Sequence, residues 1–487
     1  MLRLIRSWKN TLALISRIPP EVFALIPDFW DMGDRDEDVI ALTHTCRTWR
    51  EVFISRSSLW TDFDCDDLNM DKTRVYLDRS KSSPINLHLH EEGDLPPHHP
   101  FLQIVPHAID RLKSLVVYGT TRNLQDITAR ISRPAPLLEH LEIDGDCGCE
   151  IEGNPVLSTT LFNGDLASLR ELCLHSVRTE LPWRDMVNLT SFMLGHTLPG
   201  DVSIRQLLDF FECAPHLRKI ELRSAILTSG TQNSRLVSVA CLKRMVITGH
   251  NPNHPPSLLL DHLIIPIGAK LTTRGDLPVP LIGDHLPRSL DNLRNLPGFT
   301  DIYLGIGQSF TRIQLSGPNG QVTMFPRTSQ VNATCFALES LARFDTSRTE
   351  RLKIYPSDSP SGDLSYRALL PMKCLRTFTL SHRSSPDAFI RTLDPNIVSS
   401  GIVVCPKLEE LVLVLRLDGE TLDIENVIGM AASRASRGAK LKSIRIVSHD
   451  ESIRINVLEL RKHVSHVECG PEVGVANEDS DGSDNEY

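Results

Sequence analysis

The sequence predicts an α/β chain: a small N-terminal helical unit, then a long array of strand-and-return repeats carrying one inserted β-hairpin. Three observations predict it. An apolar stripe with two tryptophans lies within the first 65 residues, a six-residue apolar frame recurs from Leu112 to Cys469, and a Pro-Asn-Gly turn stands between two alternating runs. The 487 residues exceed the size at which one compact core keeps growing, so several domains or an elongated repeat body is expected.

Composition narrows the classes. Hydrophobic residues make up 41% and charged residues 23%, an ordinary balance for a folded chain, and no run reaches the ~18 apolar residues that a membrane span needs. Net charge is −9, yet Glu478, Asp479, Asp481, Asp484 and Glu486 supply five of those charges within the last ten residues. The rest is nearly neutral and lacks a basic nucleic-acid footprint, so neither nucleic acid nor membrane is an expected partner. The 11 cysteines are scattered and odd in number, which fits a reducing cytoplasm or nucleus better than a disulfide framework.

At the N-terminus, residues 1–15 place Arg3, Arg6 and Lys9 before a short apolar run, too brief for a signal segment, and predict an amphipathic lead-in helix. Pro19 and Pro20 then suit a helix entry, and Glu21 favours its dipole. Asp34 with Glu37 three residues on resembles a capping box. From there Val39, Leu42, Cys46, Trp49 and Phe53 form one apolar helical stripe, followed by Leu59-Trp60. A unit of some 45 residues can hide only part of that surface, so the remainder must pack on another domain or protein.

These residues carry a family resemblance. "SRIPPEVFALI", "VIALTHTCRTWREVF" and "SLW" resemble an F-box, the three-helix motif that docks on the Skp-type adaptor of cullin–RING ubiquitin ligases. Ile18, Pro19, Glu21, Val22, Ile26, Cys46, Arg47, Trp49, Leu59 and Trp60 fall on matching positions, over about residues 16–62. The resemblance implies an F-box at 16–65, with Trp49 as an internal strut between helices. Pro19, Val22, Ile26 and the Leu59-Trp60 end would face the adaptor. Pro27 clashes with the carbonyl of Phe23 in a continuous helix, so the first helix is expected to stop or kink there.

Over residues 66–470 the frame apolar-x-x-apolar-x-apolar recurs as "LKSLVV" from Leu112, "LEHLEI", "LRELCL", "LTSFML", "LRKIEL", "LKRMVI", "LDHLII" from Leu260, "FTDIYL", "LRTFTL", "LEELVL", "LKSIRI" and "VSHVEC" from Val464. The last two apolar positions alternate as a strand does, and the spacing leaves room for a return before the next strand. The array resembles an irregular leucine-rich-repeat solenoid, a horseshoe of the kind that follows F-boxes in proteins abundant in mushroom-forming fungi. Residues 271–295, rich in proline, are expected to be a strandless excursion. Around residues 308–327, "TRIQLSGPNGQVTMF" predicts a hairpin turning at Asn319-Gly320.

Catalytic constellations are missing: there is no G-x-x-x-x-G-K, no G-x-S-x-G and no H-E-x-x-H. Cys147 and Cys149 with Asp144 and Asp146, and His88, His90, His98 and His99, lack a second ligand pair at zinc spacing. No cofactor, no metal and no chemistry of its own is expected. The resemblance therefore implies a non-catalytic substrate receptor of a Skp–cullin–F-box ligase; the alternative is a repeat scaffold that never engages the ubiquitin machinery. The third and fifth frame positions project onto one sheet face. Lys219, Glu221, Arg244, Glu410 and Arg445 are thus the expected contacts to a protein target. The final residues, 471–487, read as an acidic disordered tail, because "NEDSDGSDNEY" has no aliphatic or basic side chain.

Overall fold

The computed structural model describes residues 18–23, 25, 35–65, 70–91, 93, 95–96, 99–145, 155–157, 161–179, 186–198, 201–228, 235–249, 255–275, 282–306, 311–327, 333–356, 358–382, 386–397, 401–415, 422–448 and 457–470. The expected lead-in helix and acidic tail lie outside these. The chain is mixed α/β, built on large and mostly parallel sheet. It divides into two compact units, Met1–Leu217 with Ala225–Thr228, and Arg218–Ser224 with Ser229–Tyr487. Among the described residues no helix is long and apolar enough to cross a membrane.

The first unit begins with α1 (Pro20–Phe23), α2 (Arg35–Thr45) and α3 (Arg47–Ser55). Helix α1 ends four residues before Pro27, where the proline forbids continuation. The single stripe expected from Val39 to Phe53 is two helices. Cys46 between them is extended, with φ −157° and ψ 174°, and Arg50 Nε donates to the Thr43 carbonyl at 2.9 Å across the break. An extended residue resets the helical phase. Val39 and Phe53 are accordingly buried, while Leu42, Cys46 and Trp49 remain half-buried.

Among the described residues six strands of the large sheet follow: β1 (Asp62–Asp64), β2 (Ile85–Glu91), β3 (Leu112–Gly119), β4 (His140–Asp144), β5 (Glu171–His175) and β6 (Ser191–Gly195). Each pairs in parallel with the next, which a tight turn cannot connect. Helices α4 (Met70–Ser80), α5 (Pro100–Ala108) and α6 (Thr121–Arg130) supply the first crossovers. Leu115, Val117, Leu141, Ile143, Leu172, Leu174, Phe192 and Leu194 are all buried on one face. Strands β1 and β2 precede the first apolar frame; β2 alternates Ile85, Leu87 and Leu89 inward without the frame's leading residue. Helix α7 (Ile204–Cys213) closes the unit, opened by a reciprocal capping box of Ser203 and Gln206.

The second unit holds β7 (Lys219–Arg223), β8 (Arg244–Gly249), β9 (Lys270–Gly275), β10 (Asp301–Ile306), β11 (Thr311–Gly317), β12 (Gly320–Pro326), β13 (Arg351–Tyr355), β14 (Thr377–His382), β15 (Glu410–Leu415), β16 (Ser443–Ser448) and β17 (His466–Gly470). Their spatial order departs from chain order at one place. Strand β9 pairs with β12, β12 with β11, β11 with β10, and β10 with β13. The hairpin is thus stitched into the sheet, and β11 runs antiparallel to both neighbours. Short helices α8 (Ser257–Leu260) and α9 (Ile282–His285) precede it; α10 (Ala333–Ser340), α11 (Gly362–Leu369), α12 (Asp387–Leu393), α13 (Ile424–Ser436) and α14 (Val457–His463) connect the later strands and pack on one another in that order.

In the second unit three details differ from the sequence-based expectation. Leu263–Ile264 of "LDHLII" pairs with Val237–Ser238 as a two-residue strand outside the main sheet. The sheet strand is β9, inside the segment expected to be strandless. There Thr273 takes the core place of an aliphatic residue, and its hydroxyl meets His285 Nδ1 at 3.2 Å. The hairpin turns on Pro318 and Asn319, with Gly317 paired to Gly320, because proline pre-sets the first turn position. Gly320 follows at φ +132°, where a Cβ would stand 2.5 Å from the Ala269 carbonyl oxygen. Lastly, Cys469 of "VSHVEC" is exposed, since β17 pairs on one side only.

Candidate protein-interaction surface

The residues matched to the F-box separate into an open set and a covered set. Ile18 is 38% and Val22 54% exposed, with Leu25 at 48% beside them. Pro19 and Glu21 are also exposed; Ile26 lies outside the described residues. Arg47 is exposed and pairs with Glu51 at 2.9 Å along α3. Cys46 is half-buried at the helix junction, and half-buried Trp49 meets the Phe53 ring edge-on at 6.0 Å.

Leu59 and Trp60 correct the expectation. They are 4% and 0% exposed, so they form core rather than an adaptor-facing end. Trp60 Nε1 donates to the Phe53 carbonyl at 2.9 Å. Its ring stacks edge-on against Tyr76 of α4 at 5.0 Å, beneath the Arg79 guanidinium at 4.2 Å. Trp60 is therefore a strut between α3 and α4, whereas the strut between helices is expected from the sequence at Trp49. Helix α4 does the covering, and it lies beyond the matched segment.

On the sheets, outward positions carry the polar chemistry. In the first unit His140 lies 3.1 Å from Glu171 and 3.5 Å from Glu142, while Tyr118 Oη donates to Glu142 at 2.5 Å. The hydrogen bond to Glu142 raises the His140 pKa and lowers that of Glu142. Burial, then the bond to Glu142, pushes the Tyr118 phenol up. His90 packs its ring on Tyr118 at 5.5 Å. His99 is a helix cap, its Nδ1 accepting from Phe101 N at 3.3 Å. Cys147, Cys149, Asp146 and His98 fall outside the described residues, and among the described residues no side-chain group has the makings of a metal site.

In the second unit Lys219, Arg244 and Lys270 stand in register at the strand starts. Glu221 is a second correction: it is 3% exposed, its carboxylate held between Lys219 Nζ at 3.1 Å and Arg223 at 2.9 Å. Two flanking cations cover it, so it is not an open contact residue. Glu410 is half-buried and accepts from Thr377 Oγ1 at 3.4 Å. Exposed Arg445 donates to Glu468 at 2.7 Å; His466 and Arg445 together hold the Glu468 carboxyl below its ordinary value.

Between β7 and β13 this face has a composition that the sequence order conceals. At the strand ends Arg223 stands beside Thr248, Arg274 and Phe325 in register, and Gly305 pairs with both Arg312 and Tyr355. Arg351 reaches Asp301 with two nitrogens, one at 2.9 Å. Among the described residues of these strands, eight cations, counting Lys353, thus share the face with two carboxylates, Glu221 and Asp301. The rings are used as supports. Arg312 lies 5.0 Å from the Tyr303 centroid and 5.9 Å from Phe325, and Arg274 lies 5.3 Å from Phe325. Tyr303 rests on Tyr355 at 5.2 Å. The apolar frame fixes where the core points, whereas this surface is completed by two pairings, β9 with β12 and β10 with β13, whose partners lie about 50 residues apart.

No family model matches the chain, and no curated protein matches it.

Proposed function

We propose that the protein is a non-catalytic substrate receptor of a Skp–cullin–F-box type ubiquitin ligase, located in the cytoplasm or nucleus. Residues 16–65 are its F-box and the parallel-strand body is an irregular leucine-rich-repeat solenoid that holds the target. The reading is carried by the exposed apolar group Ile18, Val22 and Leu25, which lies on the matched motif and has the character of an interface anchor. Frame residues turned inward, with a polar outward face, support a binding body. Ubiquitin transfer belongs to other subunits; the receptor contributes proximity by holding a target lysine near the loaded conjugating enzyme.

The burial of Leu59 and Trp60 favours a second reading, a repeat scaffold with an F-box-like cap, because it removes the expected apolar anchor from the surface. Adaptor pull-down separates the two. Wild-type protein retains a Skp-type adaptor, and Ile18→Asp with Val22→Asp loses it while circular dichroism and melting temperature stay unchanged. Failure of the wild type to retain the adaptor, or equal retention by the double variant, overturns the first reading.

A further inference from the structure

We infer that the outward face of β7 to β13 is a docking surface for an extended, Asp/Glu-rich segment of a partner protein. The inference rests on reading the sheet face as the target-binding surface; it does not depend on the adaptor.

Charge complementarity selects the chemistry. Among the described residues the face carries eight cations and two carboxylates in a chain whose net charge is −9, so the basic patch is local and opposed to the rest of the molecule. Both carboxylates are already held by cations of the same face, Glu221 by Lys219 and Arg223, and Asp301 by Arg351. Arg244, Lys270 and Arg274 are exposed on adjacent strands. Neighbouring strands are ~4.8 Å apart, and alternate side chains of an extended peptide recur every ~6.6 Å. Long Lys and Arg side chains can bridge that mismatch over the three adjacent strands β7 to β9, so carboxylates on one side of a crossing peptide can meet Lys219, Arg244 and Lys270 in turn.

The aromatic residues decide between an acidic peptide and a single-stranded nucleic acid. Nucleic-acid surfaces of this kind offer ring faces on which bases stack. Here Tyr303 and Phe325 are spent on guanidinium groups, and Tyr303 also rests on Tyr355. A guanidinium laid on a ring loses less freedom when its fork closes on a carboxylate. Gly305 belongs to the same device: a Cβ there would stand 2.7 Å from Tyr303 Cε1, so glycine leaves space for the ring that supports Arg312.

Fluorescence anisotropy on the full chain tests this, with a fluorescein-labelled peptide of four Asp-Glu repeats, the matching Asn-Gln peptide, and an oligouridylate as probes. The acidic peptide binds and the amide peptide does not. Binding weakens on going from about 50 to about 500 mM salt, as exposed charge pairs are screened. Lys270→Glu with Arg274→Glu weakens it about tenfold or more, and the neutral pair Lys270→Gln with Arg274→Gln weakens it less, all with unchanged circular dichroism and adaptor pull-down. Equal binding of both peptides, equal binding by the charge-reversed variant, or tighter binding of oligouridylate overturns the proposal. So does a chain ending at residue 476 that binds the peptide about tenfold tighter, which would assign the face to the chain's own acidic C-terminus. Because the same preparations are tested for adaptor binding separately, loss of one activity leaves the other intact.

Discussion

Desolvation pushes the His285 imidazole down to about 4, since the ring is 1% exposed and meets the neutral Thr273 hydroxyl. The unfolded chain, with an ordinary histidine, binds the proton more tightly. Stability from this group is therefore complete above about pH 6.5 and is lost as pH falls toward 4, to a total of about 3 kcal/mol. We expect the melting temperature of His285→Gln to depend less on pH across that window than the wild type's. Equal slopes would remove His285 as a titrating element. Trp60 gives the second residue-scale expectation. It is fully buried between α3 and α4, and Trp60→Ala should cost about 3–5 kcal/mol, seen in urea unfolding of the full chain. This side chain shows where sequence reading stopped. Its size and position were legible, but its burial depends on Tyr76 and Arg79, which fold over it from outside the motif.

Among the elements, α13 is fastened by a charge. Arg434 is 0% exposed and donates to the carbonyls of Val404 at 2.7 Å and Cys405 at 2.8 Å. Cys405 itself has φ +50°, a conformation that costs a non-glycine residue about 1 kcal/mol or more. The guanidinium holds that turn against the helix. Arg434→Met should leave those carbonyls without donors at about 1–3 kcal/mol each, lowering the melting temperature by several degrees; a change within error would show that water replaces the fork. At the hairpin, Gly320→Ala meets the Ala269 carbonyl and an unfavourable φ, and should destabilise by about 1–3 kcal/mol in chemical denaturation. Most strands were legible from their inward Leu, Ile and Phe. Strands β9 and β13 were not, because Thr273 and Thr349, both fully buried, stand where the frame demands an apolar residue. The hairpin's existence followed from its alternation, whereas its turn moved by one residue because proline outranked the Asn-Gly pair.

At the scale of the whole molecule, the sequence conceals surface more than core. Inward positions repeat locally and can be counted, but the basic face of β7 to β13 is assembled from segments distant in the chain, and no composition average reveals it. The acidic run at the end masks it further by setting the net charge to −9. Deleting residues 477–487, which carry no aliphatic or basic side chain, should leave the melting temperature unchanged within error. A loss of several degrees in differential scanning calorimetry would show that the run packs on the body.

The reordering of the hairpin strands bears on how the chain is made. Strand β8 is synthesised about 20 residues after β7 and can pair at once, and β9 can pair with β8, but the other edge of β9 must wait for β12, some 45 residues later, between Gly275 and Gly320. At about 5–20 residues per second the ribosome leaves that edge open for roughly 2–9 s. An unpaired strand edge invites neighbouring nascent chains. Lys270 and Arg274 lie on β9 itself, and with like charges repelling between copies they act as gatekeepers during translation, before the face they belong to exists.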